Sequence, residues 1–205
     1  MNPAPAASTP PSETELAAAL LQAGCAKFGA FTLKSGRVSP IYLDLRRLAS
    51  FPRTLQLVAA AYAPLCAPLL FDHLAAVPYA GLPIGTALSL NLGVSMIYPR
   101  REVKDHGTKV SVEGAFAAGQ TAVLIDDVAT SGASTLDGLG KLRAVELQVR
   151  DVVVLINREQ GAAEALAAAG CRLHAVTTLR ALLAQWSAAG AVSAEQVTEI
   201  LSPGP

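Results

Sequence analysis

The sequence predicts an α/β fold built on a central parallel sheet, and three observations lead there. Runs such as TAVLID (121–126) and DVVVLIN (151–157) are apolar without polar alternation, so they read as strands buried on both faces. Such runs alternate along the chain with helix-like segments, the order that builds a parallel sheet flanked by helices. The 205 residues are 52% hydrophobic and only 16% charged, enough apolar mass to bury a core without disulfides or a metal.

The elements follow in order. Ser12 followed by Glu15 is a capping box, opening a helix with Leu16, Leu20 and Leu21 on one side. In FGAFTLKSGRVSPIYLDL, two strand-like runs flank Lys34-Ser35-Gly36-Arg37, which predicts a hairpin. Ser50 with Pro52 starts a second helix, expected to kink or end at Pro64 and Pro68. HLAAVP is a short buried strand, Pro83 to Leu92 a helix closed by Gly93, and VSMIY a strand. Residues 99 to 113 are polar and charged and read as a long loop. After TAVLID comes a turn of small residues, then a helix carrying Leu136, Leu139 and Leu142. DVVVLIN is followed by a helix over Ala162 to Ala169 with Gly170 at its end. RLHAVTTL is a strand running into a helix, and Ser193 with Gln196 caps a last short one.

Composition excludes several classes. Lysine plus arginine (16) equals aspartate plus glutamate (16), so there is no basic excess of the kind that binds polyanions generally, and no nucleic-acid partner is expected. Cys25, Cys66 and Cys171 are odd in number and lack metal-ligand spacing, which excludes a disulfide framework and a zinc cluster; they read as small core residues. Residues 1–12 read as a disordered Pro/Ala-rich tail rather than a signal peptide. Leu74 to Tyr98 is uncharged and long enough to span a bilayer, but Pro78, Gly81, Pro83, Gly85, Asn91 and Gly93 interrupt it, so no membrane association is expected. The expected location is the cytoplasm.

Parallel sheets bind ligands beyond the carboxyl ends of their strands, which directs attention past Pro78, Tyr98, Ile125 and Ile156. The run VLIDDVATSGAS (123–134) is the strongest local signal: an apolar strand ends in two adjacent carboxylates, and small and hydroxyl residues open a helix. Small residues let backbone N–H groups converge on a phosphate at a helix N-terminus. Two acids can accept sugar hydroxyls or hold water on magnesium, so the combination suggests a ribose phosphate. A solvated turn capped by acids remains open on residue types alone. So does an ordinary charged surface for the loop Arg100, Arg101, Lys104 and His106, interleaved with Glu102, Asp105 and Glu113. His73, His174 and Trp186 read as structural.

The 123–134 run has the form of the phosphoribosyl-diphosphate (PRPP) motif of type I phosphoribosyltransferases. FTLKSGRVSPIYLDLR, VPYAGLPIGTALS, RREVKDHGTK and NREQG resemble, in that order, segments of orotate phosphoribosyltransferases, above all the type fused to a decarboxylase in animals, and span about Phe31 to Gly161. The resemblance implies a type I phosphoribosyltransferase-like fold, the central parallel sheet carrying a small N-terminal hood that contains the hairpin. It implies a stand-alone single domain over 13–205, with the hood at about 13–50, the core at about 51–180 and C-terminal helices at about 181–202. It implies transfer of the 5-phosphoribosyl group from PRPP to orotate, giving orotidine 5′-phosphate and pyrophosphate in pyrimidine biosynthesis, with Mg2+ as cofactor.

The same resemblance implies residue roles. Asp126, Asp127, Val128, Ala129, Thr130, Ser131, Gly132, Ala133 and Ser134 would hold the ribose and its 5′-phosphate. Arg100, Arg101, Lys104 and His106 would grip the pyrophosphate, with Arg101, Lys104 and His106 as the catalytic groups; Lys34, Tyr79 and Ala80 would also contact PRPP. Lys34, the backbone of Tyr42 and Leu43, Thr130 and Arg158 would bind orotate. Magnesium would be held mainly through PRPP, with water bridges to Asp126 and Asp127. A homodimer sharing the 100–109 loop across subunits is implied as well. The chain departs from the family at three positions: Ala80 where many bacterial members have lysine, Arg101 where lysine is usual, and Asn157 where aspartate is usual. Two other readings keep the fold: a phosphoribosyltransferase for a purine, which would give Lys34 and Arg158 no carboxylate to meet, and a PRPP-sensing regulator, which could dispense with the loop cations.

Overall fold

The computed structural model describes residues 9–32, 38–101 and 111–202. Lys34 in the hairpin turn, Lys104 and His106 in the long loop, and most of the expected tail lie outside the described residues.

Helix α1 (Glu13–Gln22) opens on the expected capping box: the Ser12 hydroxyl accepts from the Glu15 N–H, and the Glu15 carboxylate accepts from the Ser12 N–H at 2.8 Å. Strands β1 (Ala26–Thr32) and β2 (Val38–Leu43) pair antiparallel, with an irregularity between Phe28 and Phe31. A short 3-10 helix over Leu45–Ser50, which the sequence pattern did not announce, buries Leu45 and Leu48. Helix α2 (Pro52–Cys66) has Pro52 in its first turn; Pro64 falls inside its last turn, and the helix stops before Pro68. Strand β3 (His73–Ala76) leads to α3 (Gly81–Leu92), which begins two residues earlier than expected. Pro83 sits in its first turn, where N–H groups have no intrahelical partner and proline costs nothing.

Strand β4 (Ser95–Pro99) pairs antiparallel with the two-residue β5 (Val112–Glu113), a strand inside the segment expected as loop. Strand β6 (Thr121–Ala129) runs three residues beyond TAVLID, because β7 continues to pair with it as far as Ala129 opposite Asn157. The acid pair therefore lies within the strand rather than at its end. Then follow α4 (Ala133–Ala144), β7 (Gln148–Asn157), α5 (Ala162–Ala168), β8 (Arg172–Thr178), α6 (Leu179–Ala188) and α7 (Ala194–Leu201).

The main sheet has six strands in the order β5-β4-β3-β6-β7-β8, parallel except at the β5 edge. One face packs on α2, α3, α6 and the N-terminal hairpin; the other packs on α4 and α5 through Leu124, Val152, Val154, Leu139, Leu142 and Leu166. Cys25, Cys66 and Cys171 are free and buried, and burial pushes the Cys25 thiol up to about 11 and that of Cys66 to about 12, which suits core residues and not nucleophiles. His73 is buried between Ser95 and Gln120, and Trp186 donates to the Ala17 carbonyl at 2.8 Å, both structural as expected. Among the described residues, no helix is long and apolar enough to cross a membrane.

At the amino ends of β7 and β8, Asp151 accepts from Arg172 Nε at 2.9 Å and Nη2 at 3.1 Å, and from His174 Nε2 at 2.8 Å. Burial pushes the Asp151 carboxyl up, but its bonds to His174 and Arg172 together outweigh that and hold it below the usual range. A depressed carboxylate stabilises above its unfolded pKa and loses that contribution as pH falls through its folded value. Asp151→Asn is expected to cost about 1–3 kcal/mol at neutral pH, with the gap to wild type narrowing below about pH 4; urea unfolding across that range checks it.

Candidate functional site

Chain order reverses between β3 and β6, so the connections leaving these two neighbouring strands diverge and leave a crevice at their carboxyl ends. The Val77 N–H donates to the Ile125 carbonyl at 2.8 Å and holds the two strand ends together. Helix α3 starts in contact with β6: a Cβ at Gly81 would stand 3.0 Å from the Ile125 oxygen and 3.6 Å from Asp126 Cα. Only glycine lets the helix approach this closely to the acid pair.

Asp126 is 3% exposed. Its Oδ2 accepts from the Thr135 hydroxyl at 3.0 Å and the Ser134 hydroxyl at 3.4 Å, and its Oδ1 accepts from the Asp127 N–H at 2.9 Å. The Tyr62 hydroxyl of α2 donates to its main-chain carbonyl at 2.7 Å. Burial, and then the neighbouring Asp127 charge, pushes the Asp126 carboxyl well above the usual range. Asp127 is raised by burial too, but its bond with Asp126 and the charge of Arg46 pull the other way. Both carboxyls of the pair are thus held above the usual carboxylate range, Asp126 by burial and the adjacent charge and Asp127 by burial.

After β6, Thr130 and Ser131 lead into Gly132, whose φ of 82° is left-handed and favours glycine. No side chain caps α4, so the N–H groups of its first turn are available to an anion. Arg158 follows β7, and its N–H donates to the Ala129 carbonyl at 2.8 Å, which brings it beside the same turn. The Asn157 side chain accepts from the Glu159 N–H at 2.8 Å and shapes the bend after β7.

A cavity of about 300 Å3 opens at the crevice, lined by Tyr42, Leu43, Asp44, Leu45, Arg46, Tyr79, Ala80, Arg101 and Asp127. The Arg101 guanidinium lies 5.1 Å over the Tyr79 ring, which is itself half exposed. A second cavity of about 310 Å3, between β3, β4 and α4, is lined by Pro78, Arg100, Arg101, Ser134 and Lys141 among others. Arg100 also meets Glu113 at 3.2 Å. A larger apolar cavity of about 660 Å3 lies between α2, α3 and residues 9–11, away from these groups.

Six of the sequence-derived residues, Tyr42, Leu43, Tyr79, Ala80, Arg101 and Asp127, thus line one cavity. Arg100 and Ser134 line its neighbour, and Thr130, Ser131 and Arg158 lie at the ends of β6 and β7. Lys34, Lys104 and His106 lie outside the described residues. Sequence reasoning missed Asp44 and Arg46, whose pairing at 2.6 Å follows directly after β2, and Arg46 also donates to the Tyr42 hydroxyl at 2.9 Å. It missed Tyr62 and Thr135, the partners of Asp126. It also missed Lys141, whose only sequence signal is Asp137 four residues before it.

Among the described residues no group of three or more His, Cys, Asp or Glu side chains forms a metal cage. A carboxylate facing a cavity suits magnesium nonetheless, since that ion keeps waters and takes one or two carboxylates together with substrate phosphates.

No family model matches the chain. The bifunctional enzyme PyrF/PyrE of Nostoc sp. is 42% identical over 172 residues, 84% of this chain and 36% of that one. The orotate phosphoribosyltransferase of Caenorhabditis elegans is 38% identical over 179 residues, covering 86% of this chain and 79% of that one. The structure of Leishmania donovani UMP synthase superposes with a TM-score of 0.85 at 40% identity, over 93% of this chain and 41% of that one. The chain spans about a third of the Nostoc relative and most of the nematode one.

Thr135→Val keeps the side-chain shape but removes a donor to a buried carboxyl. It is expected to lower stability by about 1–3 kcal/mol, read from the denaturant midpoint at unchanged slope.

Proposed function

We propose that this chain, which belongs to the orotate phosphoribosyltransferase family, transfers the 5-phosphoribosyl group from PRPP to orotate, yielding orotidine 5′-phosphate and pyrophosphate. One observation carries the reading: family-like segments far apart in sequence contribute Tyr42–Leu43, Tyr79–Ala80, Arg101 and Asp127 to a single cavity where the strand order reverses.

Asp127, on the wall of that cavity, accepts the ribose hydroxyls. The Thr130–Ser134 turn takes the 5′-phosphate on backbone N–H groups and hydroxyls. Arg100, Arg101, Lys104 and His106 draw off the pyrophosphate, which leaves with the electron pair of its bond to the sugar C1. The orotate ring nitrogen, held by the backbone of Tyr42 and Leu43 and by Lys34 and Thr130, then bonds to C1 from the opposite face and gives up its N–H proton to solvent. Arg158 balances its carboxylate. Positioning and charge stabilisation supply the catalysis. Magnesium would be held mainly through PRPP, with water bridges to Asp126 and Asp127, and would supply neutralisation of the pyrophosphate charge. The same reading makes the protein a cytoplasmic homodimer whose 100–109 loop reaches the neighbouring subunit, with residues 13–205 as one domain. Three free buried thiols suit a reducing compartment.

Loss of orotate ultraviolet absorbance on adding PRPP and magnesium is the test, with adenine, hypoxanthine and uracil in parallel. Turnover of orotate alone is expected. Turnover of a purine instead would overturn the base assignment, and PRPP binding without turnover of any base would favour the sensor. Arg158→Ala is expected to raise KM for orotate roughly 10- to 100-fold, the loss of one charged contact, with KM for PRPP nearly unchanged; an effect confined to PRPP would contradict its role. Lys104→Ala is expected to lower kcat about 100-fold or more with the thermal midpoint unchanged, as loop residues support little of the core.

A further inference from the structure

Lys141 stands in the last turn of α4 with a side chain only 18% exposed. An ammonium has three donors and is ordinarily left to water. Here Nζ meets three protein acceptors: the Asp137 carboxylate at 2.6 Å, the Arg100 carbonyl at 2.9 Å and the Arg101 carbonyl at 3.2 Å. Two of the three are consecutive main-chain oxygens at the point where β4 gives way to the cationic loop. On its other side, the Arg100 N–H donates to the Ser111 carbonyl at 2.8 Å. The backbone leaving β4 is therefore held from both sides, by β5's approach segment and by α4.

We propose that Lys141 is a positioning residue for this reaction: it clamps the backbone of Arg100 and Arg101 to α4 and so presents the Arg101 guanidinium over Tyr79 at the cavity. The inference rests on the function proposed above. Helix α4 begins at the Gly132 turn that takes the 5′-phosphate, so the clamp links the two ends of PRPP through one rigid element. An ordinary helix-end lysine would point its charge at the last carbonyls of its own helix; this one is aimed at the chain carrying the pyrophosphate cations. Its two partners outside α4 are backbone atoms, so their sequence gives no sign of the contact.

The test compares Lys141→Met and Lys141→Arg, alone and on an Arg101→Ala background, by steady-state kinetics, calorimetric PRPP binding and thermal midpoint. Lys141→Met is expected to raise KM for PRPP about tenfold, a loss within the range for misplaced binding groups. KM for orotate should stay within about twofold and the midpoint within a few degrees, as for a partly exposed ion pair. Lys141→Arg should restore most of the loss. On the Arg101→Ala background the Lys141→Met penalty should shrink below about twofold, because groups acting through one another are not additive. Unchanged PRPP parameters in Lys141→Met, equal rises in both KM values, or a full penalty persisting without the Arg101 side chain would each overturn the proposal. If Lys141→Met does not fold, Lys141→Gln, which keeps two donors without the charge, takes its place under the same criteria. If the wild type turns over no base, orotate transfer falls, and calorimetry of wild type against Lys141→Met still decides the clamp. Absence of PRPP binding to the wild type overturns both.

Discussion

The two faces of the sheet are tied together at Asp126. Tyr62, from α2 on one face, donates to its carbonyl, while Thr135 and Ser134, from α4 on the other, donate to its carboxyl. A carboxyl this deeply buried is tolerated only when its lone pairs are met, so the position of α4 relative to β6 is fixed by the need to meet them, and that of α2 by the Tyr62 bond to the main-chain carbonyl. Gly81 adds a third constraint, since α3 reaches the same stretch of strand with no room for a side chain. The neighbouring Asp127 is thus delivered to the crevice by a backbone that three helices hold in place, and the geometry of the rest of the site is measured from it.

Much of this was legible because its causes are local. Buried strands declare themselves by unbroken apolar runs, capping boxes by Ser12–Glu15 and Ser193–Gln196, and the Thr130–Ser134 turn by small residues between an apolar strand and a helix. All of these depend on neighbours within a few positions. The boundaries of β6 and β7 were less legible, because where a strand ends depends on how far its partner continues: Ala129 is paired because Asn157 lies beside it. Strand β5, at two residues, is too short to carry a pattern, and exists because β4 has an open edge at Tyr98 and Pro99. The 3-10 helix after β2 mixes Leu45 and Leu48 with two arginines and has no period long enough to count.

The site residues divide in the same way. Those belonging to a recognisable run, such as Asp127, Tyr79 and Arg101, were identified from sequence and stand around one cavity. Those that only support the run were not. Tyr62 looks like one more large side chain on an apolar helix, and Thr135 like one more helix residue; each matters through a single bond to a residue nine or more positions away. Arg46 and Asp44 sit beside the family-like residues Tyr42 and Leu43, but their place on the cavity wall depends on the turn that brings the hairpin back over the core.

That hairpin is held in place from the far end of the chain. Trp186 of α6 donates to the Ala17 carbonyl of α1 and meets Phe28 of β1 edge-on at 5.7 Å. Thr14 donates to Gln185, and Thr177 to Glu13. Helix α7 packs on β2 itself. The C-terminal helices therefore form one structure with the N-terminal hairpin, although about 135 residues of core lie between them. One wall of the cavity, Tyr42 to Arg46, is placed by this joint structure, and the opposite wall, Tyr79 to Arg101 and Asp127, by the strand ends of the sheet. A site divided in this way can change its width without any change in the residues that line it: whatever alters the packing around Trp186 moves the Tyr42–Leu43 backbone relative to Asp127. The separation of the cavity's two walls is in this sense a property of the core, and the parallel sheet supplies only one side of it.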